Sequence, residues 1–416
     1  EPTPPSPPSK FPRRLSESGL FVAGAGHKVV PGLIPYDVNS PLWSDGTYKE
    51  RFIALPADGK IGYSSRRAWD LPEGTVLVKS FALESKPGDA KSRRWIETRF
   101  LTKQQNEWAG YSYMWNDEQT DATLVEAIGR DREFIIPDGT ASGKDEPASG
   151  NEGPASGKDG AASGVRKQTW HYPSRAECMI CHSRAAHYVL GLSTAQMNRD
   201  FDYSCPPALA AQGAASAPTA VRDNQIRTLV HLGLLKIDPA TELRDSVVFA
   251  ATRRGRSIKT ADRAGAMARR PAAPPSAPKP GFDVWMDELL PRLANPADES
   301  APLEARARSY LHANCAHCHV PAGGGNAQFE IQYWTTPFDS RAFDVKPVHA
   351  TFGIEGAKII ASGSAERSMM VHRTAIRGRG QMPPLASSMI DPVGVDVLKR
   401  WVESLPKPRP PTRVEP

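Results

Sequence analysis

Cysteine is scarce in this sequence, with five in 416 residues. At that frequency a repeated cysteine pattern does not arise by accident, so where the five stand carries information. Long apolar runs are missing too. No stretch of eighteen or more apolar residues occurs, so no membrane-spanning helix is predicted, and no secretory leader heads the chain. Acidic residues are lacking in one place in particular. Between positions 251 and 280, Arg253, Arg254, Arg256, Lys259, Arg263, Arg269, Arg270 and Lys279 face only Asp262, an excess larger than the net +6 of the whole chain. The basicity therefore belongs to one segment and is not the footprint of a nucleic-acid-binding face, so no nucleic-acid partner is expected.

Four of the five cysteines fall in two copies of one pattern. "AECMICH" places Cys178, Cys181 and His182, and "HANCAHCH" places Cys315, Cys318 and His319, each as C-x-x-C-H. Covalent haem attachment requires that spacing: two thiols add across the vinyl groups and the adjacent imidazole ligates the iron. Two covalently bound c-type haems are predicted, with Cys178, Cys181, Cys315 and Cys318 holding the rings and His182 and His319 as proximal ligands. A single four-sulfur zinc site is the bland alternative, but the pairs lie far apart in the chain and zinc leaves the two histidines unexplained. A thioredoxin-like dithiol wants a strand before it, whereas Leu303 to Asn314 reads as helix. Cys205 is left over and reads as a buried thiol. Haem attachment of this type takes place on the exported side of bacterial membranes, so a periplasmic or otherwise exported location is expected, with the export signal absent from the sequence given.

The pattern of residues predicts a multidomain α+β chain: a β-rich, sandwich-like N-terminal domain followed by two mainly α-helical cytochrome c-type haem domains. Residues 1–10 form a proline-rich tail or linker, and 11–136 the β-rich domain. In the latter, "GTVLVKSFAL", "RRWIETRFL" and "WAGYSYMWN" read as strands, with Tyr111, Tyr113 and Trp115 alternating onto one face. Residues 137–165 are a low-complexity insert whose period of seven lacks apolar a and d positions. Residues 166–250 make the first haem domain, where Ile226, Leu229, Val230 and Leu234 have helical spacing. A basic, proline-rich linker at 251–281 leads to the second haem domain, 282–410. Its last helix has Asp391 as N-cap, Pro392 in the first turn and Leu398, Trp401, Val402 and Leu405 as the buried stripe.

A haem held by one histidine has a second face to fill. Met382, followed by Pro383 and Pro384, lies after the second C-x-x-C-H and before the amphipathic terminal helix. This arrangement resembles the class I cytochrome c pattern, and the resemblance implies His319 as proximal and Met382 as distal ligand. Met369, Met370, Met389 and His372 are competitors. The stretch between His319 and Met382 is longer than the smallest class I proteins need, and "FEIQYW" and "AKIIASG" within it read as short strands. For the first haem Met197 is the distal candidate, with His187, His231, Met114 or an open position as alternatives.

The stretches "YDVNSPLWSDGTYKERFIALP", "LPEGTVLVKSF", "YPSRAECMICH", "LGLSTAQMNRDFDY" and "RARSYLHANCAHCHVPAGGGN" resemble a family of exported bacterial dihaem c-type cytochromes. Some of its members are joined to, or found beside, sugar-dehydrogenase propellers that use pyrroloquinoline quinone. The resemblance implies export and two haems, and the proline-rich start would suit a junction to an upstream domain. The expected function is one-electron transfer between a periplasmic dehydrogenase, of the pyrroloquinoline quinone type among others, and a respiratory acceptor. Two rivals stand beside it. One is a peroxidase- or oxygenase-like dihaem enzyme with an open first haem and acid–base groups at His171, Arg175 or His187. The other is a haem-based gas sensor or scaffold.

Overall fold

Alternating apolar residues in the first third of the chain build one large sheet. The computed structural model describes residues 11–86, 89–137, 165–204, 221–237 and 290–407. Strands β1 (Ile34–Pro35), β2 (Tyr48–Ala54), β4 (Val76–Glu84), β5 (Arg93–Gln104), β6 (Glu107–Trp115) and β7 (Ala122–Leu124) form a six-stranded sheet in the order β1-β2-β4-β5-β6-β7. Every neighbouring pair in it is antiparallel. Strand β3 (Ile61–Gly62) pairs in parallel with β12 (Leu235–Lys236), and β8 (Arg130–Pro137) pairs antiparallel with β9 (Val165–Tyr172). A third ribbon joins β10 (Asp200–Asp202) to β11 (Arg222–Asn224).

The two faces of the large sheet differ, and the difference places the site. One face carries an apolar core in which Phe52, Val78, Phe100, Tyr113 and Trp115 pack with Leu15, Phe21 and Leu124, beside a polar row of Glu50, Ser80 and Thr98. The other face carries three cross-strand rows. Ile53, Leu77 and Leu101 are in register, then Arg51, Lys79 and Arg99, then Lys49, Phe81 and Glu97. The first row enters a core shared with Trp69, Leu192, Met197, Ile226, Leu229 and Leu290. At the other end, Phe81 enters a core with Phe134, Ile136, Trp170 and Tyr172 from β8 and β9. A cationic row thus lies next to the apolar one, and beyond it Phe81 stands between Lys49 and Glu97.

The expectation of two mainly helical haem domains behind a sandwich is corrected. Helix makes up only 20% of the structure. Seven helices lie among the described residues: α1 (Arg175–Cys181), α2 (Thr194–Met197), α3 (Gln225–His231), α4 (Leu303–Asn314), α5 (Pro337–Ser340), α6 (Met369–Thr374) and α7 (Pro392–Ser404). In place of a sandwich there is one large antiparallel sheet with two-stranded ribbons. The helical signal around the first motif was local and short. Gln168, Trp170 and Tyr172 alternate into a buried face as strand β9, and the segment then buries Leu192, Ile226 and Leu229 against the sheet, where no helical bundle forms. Left-handed backbone at His187 and Tyr188 turns the chain soon after α1.

The second motif stands in more helical surroundings. Helices α4 and α7 pack through Ala307, Tyr310 and Leu311 against Val397, Leu398, Trp401 and Val402. Gly394 lies flat on the Tyr310 ring, where any Cβ would overlap it. Asp391 caps α7 by accepting from the backbone N–H groups of Val393 and Gly394, both at 3.1 Å. The stretches "FEIQYW" and "AKIIASG" form no strands; only isolated bridges, Phe343 to Ile360 and Lys358 to Ser368, tie this part together. Cys205, the 251–281 linker, the tails, and all but the ends of the 137–165 insert lie outside the described residues. No helix among the described residues is long and apolar enough to cross a membrane.

Candidate functional site

The second motif follows directly from α4. Cys315 is the C-cap of that helix, and the chain tightens into a turn in which the N–H groups of Cys318 and His319 donate to the Cys315 carbonyl at 3.1 and 3.0 Å. The His319 ring stacks on Phe329 at 4.0 Å. Glycine is required beside it, because a Cβ at Gly325 would come within 2.9 Å of the imidazole. The Nδ1 of His319 is buried without a hydrogen-bond partner, and burial holds its pKa below the usual imidazole value. The ring borders a cavity of about 770 Å³ lined also by Cys315, Cys318, Met369, Met370 and Met382. That volume falls within the roughly 300–1,000 Å³ of cofactor-sized pockets. Met382 is held there by its backbone N–H, which donates to the Arg373 carbonyl at 2.9 Å. Met369 and Met370 share the cavity, whereas Met389 and His372 do not line it.

The first motif sits on α1, which Ser174 and Glu177 start with a reciprocal capping box. The helix lies on the charged face of the sheet: a Cβ at Gly110 would come within 2.6 Å of Cys178 Cβ, so only glycine lets the two elements approach this closely. His182 closes the helix, and its Nδ1 lies 2.5 Å from the Tyr188 carbonyl. A ligating histidine generally donates its second ring N–H to such an acceptor, which leaves Nε2 for a metal. Burial lowers its pKa to about 4, so the ring is neutral at pH 7. Cys178, Cys181 and His182 line a smaller cavity of about 160 Å³ with Lys79, Arg51 and Arg99.

These two motifs, remote in sequence, meet. The Sγ atoms of Cys181 and Cys318 and a ring nitrogen of His317 all lie within 4.8 Å of one another. Cys181 shares a hydrogen bond with Cys318, which pushes the Cys181 thiol up and, together with His317, pulls the Cys318 thiol down. Burial raises Cys178 and pushes Cys315 up to about 12. The cavities also share a wall: Met382, Pro383 and Pro384 border the large one, and Leu385 and Ala386 of the same loop border the small one. Asp45 fixes that loop. Its carboxylate accepts from Ser387 Oγ, Ser388 N and Oγ, and Met389 N, at 2.8 to 3.1 Å.

Met197 is not brought to the first cavity. It is fully buried in the core with Leu192 and Ile226, and its sulfur lies 4.0 Å from Gln225 Nε2. His187 borders a separate pocket with His312 and His317, His231 is exposed on α3, and Met114 packs against the Phe81 cluster. His171 is held by Asp131 at 2.6 Å and Glu177 at 3.1 Å. Sequence reasoning missed the row Arg51, Lys79 and Arg99. Its one visible sign was a lysine inside the apolar strand "VLVKSFAL".

The donor set fits haem attachment at both motifs: paired thiols, an imidazole beside each pair, and at the second a cavity of suitable size with a thioether on its wall. At the first, the cavity is narrower than a porphyrin, and its long side chains and the 385–386 wall must yield for one to enter. No family model, no curated protein and no solved structure matches this chain.

Proposed function

We propose that this chain is an exported dihaem c-type cytochrome that passes single electrons between a dehydrogenase and a respiratory acceptor. The observation that carries the reading is the convergence of both C-x-x-C-H motifs on one contact, Cys181 to Cys318. Separate redox dithiols have no need to meet, whereas a two-centre electron carrier requires its centres close together, and a single shared metal site would bring the pairs together as well. When bound, haem iron supplies reversible one-electron exchange between ferric and ferrous states. The chain's part is to hold and insulate it. Each cysteine forms an S–C bond to one vinyl carbon while the thiol hydrogen goes to the other, a step that uses no oxidant. His182 and His319 offer Nε2 to the iron, and Tyr188 fixes the orientation of the first ring. Phe329, Ile331 and Phe343 give the second site an apolar lining.

The test is expression of the exported holoprotein with haem-attachment machinery, followed by intact mass and haem staining after denaturation. Two covalent haems per chain, with neither reacting with carbon monoxide when reduced, support the electron carrier. One gas-reactive haem favours the peroxidase- or oxygenase-like reading, and no covalent haem overturns the proposal. A second reading rests on the Cys181, His317 and Cys318 trio, whose soft donors suit a zinc-like ion in a chain without haem. It predicts stoichiometric zinc that is lost on Cys181→Ala substitution.

A further inference from the structure

A third cavity, of about 70 Å³, lies apart from the two that the cysteines border. Its walls come from three places: residues 66–68, the chain at 185–193 that follows the first motif, and the end of α4 with the chain beyond it as far as Trp334. A water takes up about 30 Å³ in the liquid, so the space suits two waters or one small polyatomic ion. It is far below the roughly 300–1,000 Å³ of a pocket for an organic cofactor. Arg67 and His187 stand at its exposed end, and Ser193 and Ala316 are buried within it.

The polar groups of this lining are unbalanced. Gln332 Oε1 accepts from Trp334 Nε1 at 3.2 Å, which leaves the amide N–H groups of Gln332 to donate. His312 Nδ1 accepts from the Tyr333 N–H at 3.3 Å, and burial keeps the ring neutral, so its one proton is on Nε2. Arg66 and Arg67 bring positive charge, whereas no Asp or Glu among the described residues lines the cavity. Arg67 has no ion pair among those residues. Ser193 gives the second observation. Its hydroxyl is buried without a hydrogen-bond partner, on a residue 7% exposed. Ser193 precedes α2 but its side chain does not cap it, because the N–H groups of Gln196 and Met197 donate to its backbone carbonyl, at 3.1 and 2.9 Å. The position is fixed from the other side by an antiparallel bridge between Ala68 and Ser193. A buried hydroxyl in a fixed place without a partner is costly, and a ligand that accepts from it removes the cost.

We propose that this cavity is a binding site for a small, fully ionised tetrahedral oxyanion, with sulfate as the type. Such an ion offers only acceptors, which is what a lining of N–H and O–H donors requires. Phosphate near neutral pH carries at least one proton and needs an acceptor in return, and the acceptors of Gln332 and His312 are already taken. The site therefore selects sulfate over phosphate. An anion held there ties the chain that follows the first motif to the helix that precedes the second. The assignment uses none of the residues that hold haem, and it stands or falls separately from the two-haem reading.

The test is calorimetric titration of the full-length protein, expressed with the haem-attachment machinery, with sulfate and separately with phosphate in a chloride buffer. Wild type is compared with Arg67→Gln, at the exposed end, and with Ser193→Ala. The expected result is one sulfate per wild-type chain, bound about tenfold or more tighter than phosphate, and a loss of about tenfold or more in each variant, since each removes a donor to a charged acceptor. Urea unfolding gives an independent reading. Without sulfate, Ser193→Ala should be at least as stable as wild type, because it removes an unpartnered hydroxyl. Saturating sulfate should raise the midpoint of wild type more than that of Ser193→Ala, which reports only the general effect of the salt. Sulfate binding that survives both substitutions belongs to the basic segment at 251–280 and overturns the site. No saturable binding means that water fills the cavity, and it overturns the site as well. Phosphate bound as tightly as sulfate overturns the choice of a fully ionised anion, and a Ser193→Ala chain destabilised without sulfate overturns the role given to the hydroxyl.

Discussion

The sulfurs of Cys181 and Cys318 lie within 4.8 Å of each other, one at the end of α1 and the other in the turn that follows α4. The contact depends on the segment between β1 and β2. There, Ser40 Oγ donates to the Ser309 carbonyl at 3.0 Å, Trp43 N donates to Asn314 Oδ1 at 2.7 Å, and Trp43 Nε1 donates to the Met389 carbonyl at 2.9 Å. Because Ser309 and Asn314 are buried on α4, these bonds fix the second motif against the sheet that carries the first.

The first prediction follows from that contact. Two rings attached to touching sulfurs couple electronically, so the oxidised holoprotein should show a two-signed circular dichroism signal in the Soret region. The double substitution Cys315→Ala, Cys318→Ala, which leaves only the first ring, should reduce it to a single-signed band. A single-signed wild-type spectrum in a chain carrying two haems would mean that the motifs separate when the rings are in place.

Asp45 is the second point of leverage. Its buried carboxylate binds three consecutive residues of the loop that begins at Met382, so Asp45→Ala leaves the N–H groups of Ser388 and Met389 without an acceptor. Loss of bonds to a charged acceptor should cost about 2–3 kcal/mol in urea unfolding. The thioether band assigned to Met382 should weaken in the same variant, while Ser204→Ala, on the far β10 turn, should change neither.

Legibility of the sequence varied with the range of the interactions. Strands β4, β5 and β6 were readable because alternation is a local signal, and so were α4 and the Asp391-capped α7. The helical reading of 166–250 failed because Trp170 and Tyr172 take their partners from the β8 ribbon on the other side of the low-complexity insert. At the site, the spacing of cysteine and histidine named both motifs, but spacing along a chain says nothing of Cys181 meeting Cys318. Nor does it show that Lys79 aligns with Arg51 and Arg99, which follows from strand register. Met197 looked available because its distance from His182 in sequence suited a loop, yet the position is one turn of helix inside the core.

A third prediction concerns acid. His27 stacks on Trp95 at 3.6 Å, and burial lowers its pKa from 6.5 to about 3. Below pH 6.5 the unfolded chain takes up a proton that the folded chain refuses until about pH 3. Stability from this group is therefore fully present above pH 6.5 and falls as the pH drops towards 3, by up to about 1.4 kcal/mol per pH unit. Between pH 7 and pH 5, wild type should lose about 2 kcal/mol more than His27→Phe. Urea titrations at the two pH values measure this, and equal losses would show that His27 titrates normally in the fold.

Gly110 tests whether the first motif needs close contact with the sheet. The residue pairs with Leu101 on β5, in the interior of the sheet, where an alanine would ordinarily be tolerated and would restrict the unfolded chain. Here the added Cβ would meet Cys178 Cβ at 2.6 Å, and both contacting groups are anchored, one by the sheet and the other by a capped helix. Neither is the free end of a flexible side chain, so α1 must lift from β6. Gly110→Ala should cost about 1–3 kcal/mol through overpacking. It should also lower haem attachment at the first motif while leaving the second intact, giving a one-haem mass from the same cells in which wild type carries two. Unchanged loading at both sites would show that α1 tolerates the shift and that its seat on Gly110 does not govern attachment.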